Sequence, residues 1–324
     1  MLKIAISGYG NLGRGVEYAV EQNEDMELAA IFTRRPVSSV LSRGGAPVVP
    51  VADAAQWAGR ADVLILCGSA GDELPSQGPA MAKLFNTVDS FDIHPRIPRY
   101  FAAMDAALSE SGKLGLVAAG WDPGLFSLNR LYMSAVLPQG QDYTFWGRGV
   151  SQGHSNAIRR LEGVLDAVQY TCPAENAVAK VRSGKLPRLA AAEKYVRECF
   201  VVLQEGANAA AIEQEITHMP YYFADYTTLV HFISPEEFAK NHQKMASGGF
   251  VYRQGRTGQG SVQTMEYSLR LDSNPEFTAG VLAACARAVA CLAAAGKTGA
   301  ITLFDLPPAL LSAKSGEELR AEAL

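Results

Sequence analysis

Three glycines near the start of the chain have the spacing that lets a backbone bind a diphosphate. Gly8, Gly10 and Gly13 form the pattern G-x-G-x-x-G between an apolar run and a helical pattern. The first glycine of such a turn permits a tight bend, the second lets a pyrophosphate approach, and the third lets the helix pack on the strand. The anion then lies at a helix N-terminus, where N–H groups and the dipole favour negative charge. We therefore predict a dinucleotide-binding Rossmann unit.

The residues after the second apolar run indicate which dinucleotide is bound. An NAD-binding unit usually has an acidic side chain here, which accepts a hydrogen bond from the ribose 2′-hydroxyl. This chain has Thr33, Arg34 and Arg35 instead. A hydroxyl and two guanidiniums suit a 2′-phosphate, which they can bind through charge-assisted hydrogen bonds. We therefore expect NADP as the cofactor; the alternative is a solvated arginine pair in a loop.

Two acidic residues lie beyond later apolar runs, within unusual strings. Asp92 belongs to VDSFDIH at residues 88–94, and Asp122 belongs to GWDPG at residues 120–124. Ligands of an open α/β sheet gather at the carboxyl ends of its strands, so both carboxylates are candidates for a reacting centre. The alternatives are a helix cap for Asp92 and a turn residue for Asp122, because Asp-Pro-Gly favours turns.

These candidates need a parallel sheet behind them. Strand-like apolar runs occur at residues 2–7, 28–32, 48–51, 63–67, 87–89 and 114–118. Helical patterns such as 12–22 and 100–111 separate most of them. Strands that alternate with helices imply βαβ units with right-handed crossovers. We therefore predict an α/β fold in which a Rossmann, doubly wound parallel sheet binds the cofactor.

After residue 118 the pattern changes. A turn at 120–124 and a helix over 125–137 precede strand-like runs at 143–146, 164–171, 198–203, 228–233 and 264–271. An Ala-rich helix over 278–295 and a strand-like run at 300–304 return to the first pattern. We predict that residues 1–118 and about 273–324 form the Rossmann domain, with a second, mixed α+β domain at 119–272. The glycine-rich residues 254–260 lack the Lys-Ser/Thr of a Walker A motif and are expected to connect two strands.

Composition and charge exclude several classes of protein. Of the 324 residues, 48% are hydrophobic and 19% are charged, which is ordinary globular composition. The formal net charge of −4 disfavours a nucleic-acid or anionic-membrane partner. No apolar run reaches the roughly 20 residues that cross a bilayer, and no signal peptide is recognisable. The five cysteines lack CxxC spacing and the histidines lack metal-ligand spacing, so we expect a cytoplasmic protein without disulfides or bound metal.

Several strings together resemble the meso-diaminopimelate D-dehydrogenase family. They run in order along nearly the whole chain. They are GYGNLGR (8–14), FTRR (32–35), VDSFDIH (88–94), GWDPG (120–124), TFWG (144–147), SQGHS (151–155), QYT (169–171), RECF (197–200) and NPEF (274–277). Because these motifs are independent and ordered, the resemblance is far more specific than the glycine pattern alone.

The resemblance implies a homodimeric NADP-dependent enzyme with substrate binding and dimerisation in the second domain. The implied reaction is oxidative deamination of the D-configured carbon of meso-2,6-diaminoheptanedioate (meso-diaminopimelate). Its products are L-2-amino-6-oxoheptanedioate, ammonia and NADPH. The reverse reaction, a reductive amination, serves lysine and peptidoglycan precursor synthesis.

For the D-centre, the resemblance implies that Asp92 and Asp122 face the amine. An ammonium must lose a proton before its carbon gives up hydride, so a carboxylate, or a water that it positions, is useful as a base. The same carboxylates would stabilise the iminium and orient the water that hydrolyses it. Two indole walls and two donors to the carboxylate complete the implied centre: Trp121, Trp146, Gln152 and Gly153. His154 is expected to be a helix-start or hinge residue rather than a catalytic acid.

For the distal L-centre, the resemblance implies Thr171 and Arg197 at the carboxylate and Asn274 near the amine. The planar fork of arginine suits bidentate binding of a carboxylate. The chain departs from the family pattern at Ser247, where family members have histidine before paired glycines. Serine still forms hydrogen bonds but loses a possible cation, which weakens this end relative to the histidine pattern.

The cofactor is expected to contact five segments, each at or just after the end of a predicted strand. They are Gly8, Tyr9, Gly10, Asn11, Leu12 and Gly13; Thr33, Arg34 and Arg35; Cys67, Gly68, Ser69 and Ala70; Ser90, Phe91 and Asp92; and Ala119, Gly120, Trp121, Asp122 and Pro123. Two alternative functions stay open. One is another NADP-dependent reductase or dehydrogenase of the aspartate and diaminopimelate pathway, which would not need GWDPG together with SQGHS. The other is a catalytically silent NADPH-binding sensor, which would not need both acidic residues.

Overall fold

The computed structural model describes residues 1–324, and its contacts divide the chain into two units. Unit 1 consists of Met1–Leu128 and Pro275–Leu324, and unit 2 consists of Asn129–Asn274. The strands are β1 (Leu2–Ser7), β2 (Met26–Thr33), β3 (Val48–Pro50), β4 (Val63–Leu66), β5 (Asn86–Asp89), β6 (Leu114–Leu116), β7 (Gly140–Trp146), β8 (Gly149–Val150), β9 (Val164–Pro173), β10 (Tyr195–Leu203), β11 (Thr227–Phe232), β12 (Ser247–Thr257), β13 (Ser261–Leu271) and β14 (Gly299–Ile301).

Helices lie between most of these strands. They are α1 (Asn11–Glu21), α2 (Leu74–Ala82), α3 (Ile97–Ser111), α4 (Leu125–Val136), α5 (Gln152–Arg159), α6 (Glu175–Arg182), α7 (Ala191–Lys194), α8 (Ala209–Thr217), α9 (Pro235–Asn241), α10 (Asn274–Ala294) and α11 (Gly316–Ala323). The strand runs predicted in residues 1–118 all correspond to strands, with ends that differ by a few residues.

Unit 1 is built on a seven-stranded sheet in the order β14-β6-β5-β4-β1-β2-β3. Every neighbouring pair in this sheet is parallel. From β1 the chain first adds β2 and β3 on one side, and it then returns to add β4, β5 and β6 on the other side. The direction of strand order therefore reverses between β1 and β4. That reversal opens a crevice at the carboxyl ends of the strands, where open α/β sheets bind ligands. The predicted Rossmann fold is therefore confirmed.

The alternation of side chains along β1 explains why helices cover both faces of this sheet. Ile4 and Ile6 point to one face, where they pack with α1 and α10 side chains such as Val16 and Leu282. The intervening Ala5 belongs to a second buried cluster on the other face, with residues of α2 and α3. All four residues of β4 are buried, as expected for a strand covered on both sides.

Helix α10 is long and apolar enough to span a membrane by length and composition alone. Its buried side chains nevertheless belong to the core of unit 1. Arg287, within the helix, donates to Asp25 at 2.6 and 2.7 Å and to the carbonyl of Leu311 at 2.8 Å. Bonding to Arg287 lowers the pKa of Asp25 despite partial burial. In this unit α10 therefore packs as a core helix.

Unit 2 contains two sheets. One has the order β11-β10-β9-β8 and the other has the order β13-β12-β7. Strands β10 and β11 are parallel, whereas the other pairs are antiparallel. Together with helices α5 to α9, these sheets form the mixed α+β architecture that the sequence predicted.

The glycine-rich residues 254–260 were expected to connect two strands, and this prediction is partly wrong. β12 runs through Thr257 and pairs with β13 up to Ser261, so only residues 258–260 form the turn. The glycine inside the strand serves close packing: a Cβ on Gly255 would lie 2.6 Å from the carbonyl oxygen of Gln139. The run at 300–304 is also shorter than predicted, because β14 ends at Ile301 and a turn capped by Thr302 follows.

Candidate active site

The glycine turn after β1 has the geometry that a diphosphate requires. Gly8 has a positive φ of 93°, a backbone conformation that residues other than glycine rarely adopt. A Cβ on Gly13 would lie 2.2 Å from the carbonyl oxygen of Gly8, so only glycine lets α1 approach the strand this closely. A Cβ on Gly10 would meet no atom within 4 Å. The backbone at Gly10 is therefore open to a ligand at the N-terminus of α1.

A cavity of about 300 Å³ lies at the carboxyl ends of β1, β2 and β4. It is lined by Gly8, Tyr9, Gly10, Phe32, Thr33, Arg34, Arg35, Cys67, Ser69, Glu73 and Gln77. Arg35 donates through Nη2 to the carbonyl of Tyr9 at 2.5 Å and through its backbone N–H to Thr33 Oγ1 at 3.0 Å. Arg34 forms an ion pair with Glu73. Two guanidiniums and a hydroxyl thus lie together at this edge, which suits a phosphate monoester.

A buried carboxylate fixes the middle of the glycine turn. The Tyr9 hydroxyl donates to Glu17 on α1, and Glu17 also accepts from Ser42 Oγ at 2.6 Å and from the Gly44 N–H at 3.0 Å. Burial acts to raise the pKa of Glu17, but these hydrogen bonds outweigh it and lower the pKa. Burial, reinforced by Glu17, raises the pKa of Tyr9 to about 12. Glu17 is therefore an anion and Tyr9 its neutral donor.

The two acidic candidates occupy neighbouring loops of the same sheet edge. Asp92 follows β5 and is exposed, and Asp122 follows β6 and is half-buried. Asp92 does not cap a helix, because Arg96 precedes α3 and forms no side-chain cap. Asp122 lies in a tight turn in which Trp121 bridges to Gly124. Because β5 and β6 are adjacent and parallel, both carboxylates emerge where ligands of this fold gather.

The distal candidates meet in unit 2 through strand pairing. Arg197 on β10 lies directly opposite Thr171 on β9, and its Nη1 donates to Thr171 Oγ1 at 2.5 Å. The guanidinium carbon lies 4.1 Å from the ring centroid of Tyr226. Arg197 is 9% exposed, and its Nε has no hydrogen-bond partner. A buried guanidinium with an unused donor is suited to bind an anion, since an unpaired buried donor is costly. We call Thr171, Arg197 and Tyr226 the Arg197 cluster.

Gln152 and Gly153 form the first turn of α5. A Cβ on Gly153 would meet nothing within 4 Å, so the backbone there is open. His154 lies in the same turn, as predicted, with its Nδ1 2.7 Å from Ser151 Oγ. Burial, and secondarily the charge of Arg197, lowers the pKa of His154. His154 is therefore a neutral residue of the helix start.

The remaining candidates of unit 2 lie along β7, β12 and the start of α10. Ser247 opens β12 and helps to line a cavity of about 570 Å³ with Arg148, Arg270 and Asp272. Asn274 donates its backbone N–H to the carbonyl of Met245 at 2.9 Å. Trp146, at the end of β7, is 43% exposed and lies parallel to Tyr195, with centroids 6.2 Å apart. Ser247 approaches the Arg197 cluster through Gly149, which faces Ser247 and pairs with Thr171.

Comparison with known proteins identifies the family. The model of the diaminopimelic acid dehydrogenase C-terminal domain matches residues 120–273. The meso-diaminopimelate D-dehydrogenase of Ureibacillus thermosphaericus is 56% identical over 323 residues, which cover 100% of this chain and 99% of that protein. The chain belongs to the meso-diaminopimelate D-dehydrogenase family.

Solved structures of this family and of an engineered relative agree with the fold. A six-substitution mutant of the Clostridium tetani meso-diaminopimelate dehydrogenase, determined with DAP, is 50% identical, with a TM-score of 0.90 and 100% coverage of both chains. An engineered D-amino acid dehydrogenase bound to NADP⁺ is 41% identical, with a TM-score of 0.82 and coverage of 100% of this chain and 99% of that one.

Three residues near the family's site carry no motif signal in the sequence. Glu73 and Gln77 line the cavity of unit 1 from the start of α2. This helix is hard to predict from the sequence because it contains prolines. Tyr226 stacks on Arg197 but is distant from it in sequence. Charges and spacings in the sequence do not reveal such neighbours, because packing of α2 brings Glu73 and Gln77 to the cavity and pairing of β10 with β11 brings Tyr226 to Arg197.

Proposed function

We propose that this chain catalyses the reversible NADP-dependent oxidative deamination of the D-centre of meso-2,6-diaminoheptanedioate. The products are L-2-amino-6-oxoheptanedioate, ammonia and NADPH, and the reductive direction serves lysine biosynthesis. The observation that carries this proposal is the 56% identity, over the whole chain, to an enzyme named for this substrate.

NADP fits the residues of unit 1. The turn at Gly10 leaves open backbone at a helix N-terminus for the diphosphate, and Thr33, Arg34 and Arg35 surround a cavity suited to the 2′-phosphate. When bound, the nicotinamide accepts hydride from the D-carbon. Burial raises the pKa of the Cys67 thiol, so Cys67 lines the cavity as an uncharged thiol and is not a nucleophile.

At the D-centre, Asp92 and Asp122 hold the amine. A carboxylate takes the proton of the ammonium, directly or through water, so that the nitrogen lone pair can assist departure of hydride. The two negative charges then stabilise the iminium and orient the water that attacks it. Trp121 and Trp146 provide apolar walls, and the open backbone at Gln152 and Gly153 donates to the adjacent carboxylate.

At the L-centre, Arg197 holds the distal carboxylate. Its unused Nε–H and the hydroxyl of Thr171, whose oxygen accepts from Nη1, supply two donors, and Tyr226 restricts the guanidinium to one plane. Ser247 adds a hydroxyl where the family pattern has histidine, and Asn274 takes the amine. Binding here positions the D-carbon for hydride transfer.

We further propose that the domains follow the two units, with NADP held by unit 1, and that the enzyme is a cytoplasmic homodimer. Exposed apolar side chains on α4 support the dimer: Leu131 is 44%, Tyr132 46% and Val136 64% exposed. Sedimentation of the purified protein tests this assembly. A species of 34.6 kDa at all concentrations would contradict it.

A steady-state assay with purified protein, NADP and each diaminopimelate stereoisomer tests the function. Turnover is expected with the meso isomer, and none with the LL isomer because that isomer has no D-centre. Tight NADPH binding without turnover on any isomer would favour a silent sensor instead. Turnover only with other pathway intermediates would favour a different reductase.

A further inference from the structure

Asp89 is a fully buried carboxylate at the last position of β5. Its Oδ1 accepts from the backbone N–H of Phe91 at 3.0 Å and from that of Ala118 at 3.1 Å. Its Oδ2 accepts from the Tyr100 hydroxyl at 3.1 Å. Its backbone carbonyl accepts from the Ala119 N–H at 2.8 Å. One residue thus bonds to the loop after β5, the loop after β6, and helix α3.

These bonds hold the two loops that carry the candidate acids. Phe91 immediately precedes Asp92, and Ala118 begins the segment that leads to Asp122. Ala118 has a φ of 58°, a left-handed conformation that is costly for a residue with a Cβ. The bond from its N–H to Asp89, together with the neighbouring bond from Ala119, holds this conformation. The β5 and β6 loops therefore share a single oxygen atom as their anchor.

The surroundings make this anchor rigid and dry. Phe91 stacks on Tyr100 with ring centroids 4.2 Å apart, and Phe91 is 1% exposed. Burial raises the pKa of Asp89 to about 6, while its three hydrogen bonds act in the opposite direction. Burial also raises the pKa of Tyr100, so its hydroxyl remains a donor. At neutral pH an ionised, fully hydrogen-bonded carboxylate thus ties the loops.

We propose that Asp89 is a positioning residue whose carboxylate fixes the spacing of Asp92 and Asp122 around the reacting amine. Asp89 is 0% exposed, so it acts through the loops and not by contact with substrate. This inference rests on the roles proposed above for Asp92 and Asp122. Displacement of catalytic groups by about 1 Å can lower turnover by about 10²-fold.

Substitutions at position 89 separate geometry from charge. Asp89→Ala removes the anchor and is expected to lower kcat about 10-fold or more, and to change the Kd for NADPH by a smaller factor. Asp89→Asn keeps one oxygen for both backbone donors and is expected to recover most of kcat. Asp89→Glu keeps the charge but displaces the oxygens, so its kcat is expected to fall below that of Asp89→Asn. Tyr100→Phe is the control, because it removes only the helix bond.

The outcomes are decisive in each case. Full kcat in Asp89→Ala, or an equal fall in Asp89→Ala and Tyr100→Phe, overturns the positioning role. If Asp89→Ala does not fold, the order of Asp89→Asn above Asp89→Glu supports the proposal, and the reverse order overturns it. If Asp92→Asn and Asp122→Asn retain turnover, the proposed function of those acids fails. If they lose turnover while Asp89→Ala does not, only the inference about Asp89 fails.

Discussion

In unit 1 each candidate ligand-facing residue lies shortly after the end of a strand, whereas in unit 2 Thr171 and Arg197 meet only because β9 pairs with β10. The sheet edge of unit 1 therefore obeys a topological rule: parallel strands deliver their following loops to one side. The Arg197 cluster depends on the register in which β10 pairs with β9. A shift of that register by one residue would turn Arg197 to the opposite face of the sheet. The first kind of site follows from motif order, and the second depends on pairing between distant segments.

The two kinds of site also differ in electrostatics. The edge of unit 1 carries both exposed cations at the cofactor cavity and carboxylates on the β5 and β6 loops. The Arg197 cluster holds a single buried cation with an unused donor. Loss of an acid at the edge should therefore affect the chemical step, whereas loss of Arg197 should affect the choice of substrate.

The largest expected effect on turnover is at Asp122. Asp122→Asn should keep the fold and lower kcat by about 10² or more, because it removes the charge that we propose faces the amine and iminium. Asp92→Asn should act in the same direction and less severely. Asp53→Asn, also in unit 1, is the matched control and should retain normal kcat. Near-normal turnover in the Asp122 variant would leave that residue as a turn former only.

The largest expected effect on binding is at the cofactor cavity. Replacement of both Arg34 and Arg35 by Ala should weaken NADP binding by about 1.5–3 kcal/mol for each charged hydrogen-bonding partner. Binding of NAD, which has no 2′-phosphate, should change little and serves as the internal control. Titration of each cofactor against the unmodified protein and the double variant measures the ratio of the Kd for NAD to the Kd for NADP in each protein. Equal efficiency of the unmodified enzyme with NAD and NADP would be evidence against the phosphate clamp.

Arg197 should set the preference for a substrate with a distal carboxylate. Arg197→Ala should lower kcat/KM on meso-diaminopimelate by about 10-fold or more, since remote binding energy also supports turnover. A D-alkyl amino acid, which lacks that carboxylate, should be affected much less. The ratio of the two efficiencies should hold or rise in Ser247→His. An unchanged ratio in Arg197→Ala would mean that Arg197 does not hold the distal carboxylate.

The remaining prediction concerns stability and its pH dependence, not turnover or binding. The folded-state pKa of Asp89 is about 6, raised by burial from 3.8, so its ionisation opposes folding. The free energy of unfolding should therefore fall, relative to Asp89→Asn, as pH rises from about 4 through 6, by about 3 kcal/mol at most. Urea unfolding of both proteins at pH 5 and pH 8 measures this difference. A difference that does not vary with pH would mean that burial does not control this carboxylate.

The sequence predicts the Rossmann sheet well because its strands are short, apolar and bounded by motifs. Gly8, Gly10 and Gly13 also show in the structure the separate steric roles that their spacing predicts. Two elements, one in each unit, are less predictable. Helix α2 of unit 1 contains Pro79, and β12 contains Gly255, so local propensity conceals both elements. The hydrogen bonds of Asp89 to the two loops could not be predicted from motifs either, because a single buried carboxylate produces no periodic pattern in the sequence.

Transfer of deuterium tests the central claim most directly. meso-Diaminopimelate labelled with deuterium only at the D-centre should deliver its label to NADP and show a slowed hydride-transfer step. The same substrate labelled only at the L-centre should retain its deuterium in the amino-oxo product. Label reaching NADP from the L-centre, or no transfer from either carbon, would contradict deamination at the D-centre.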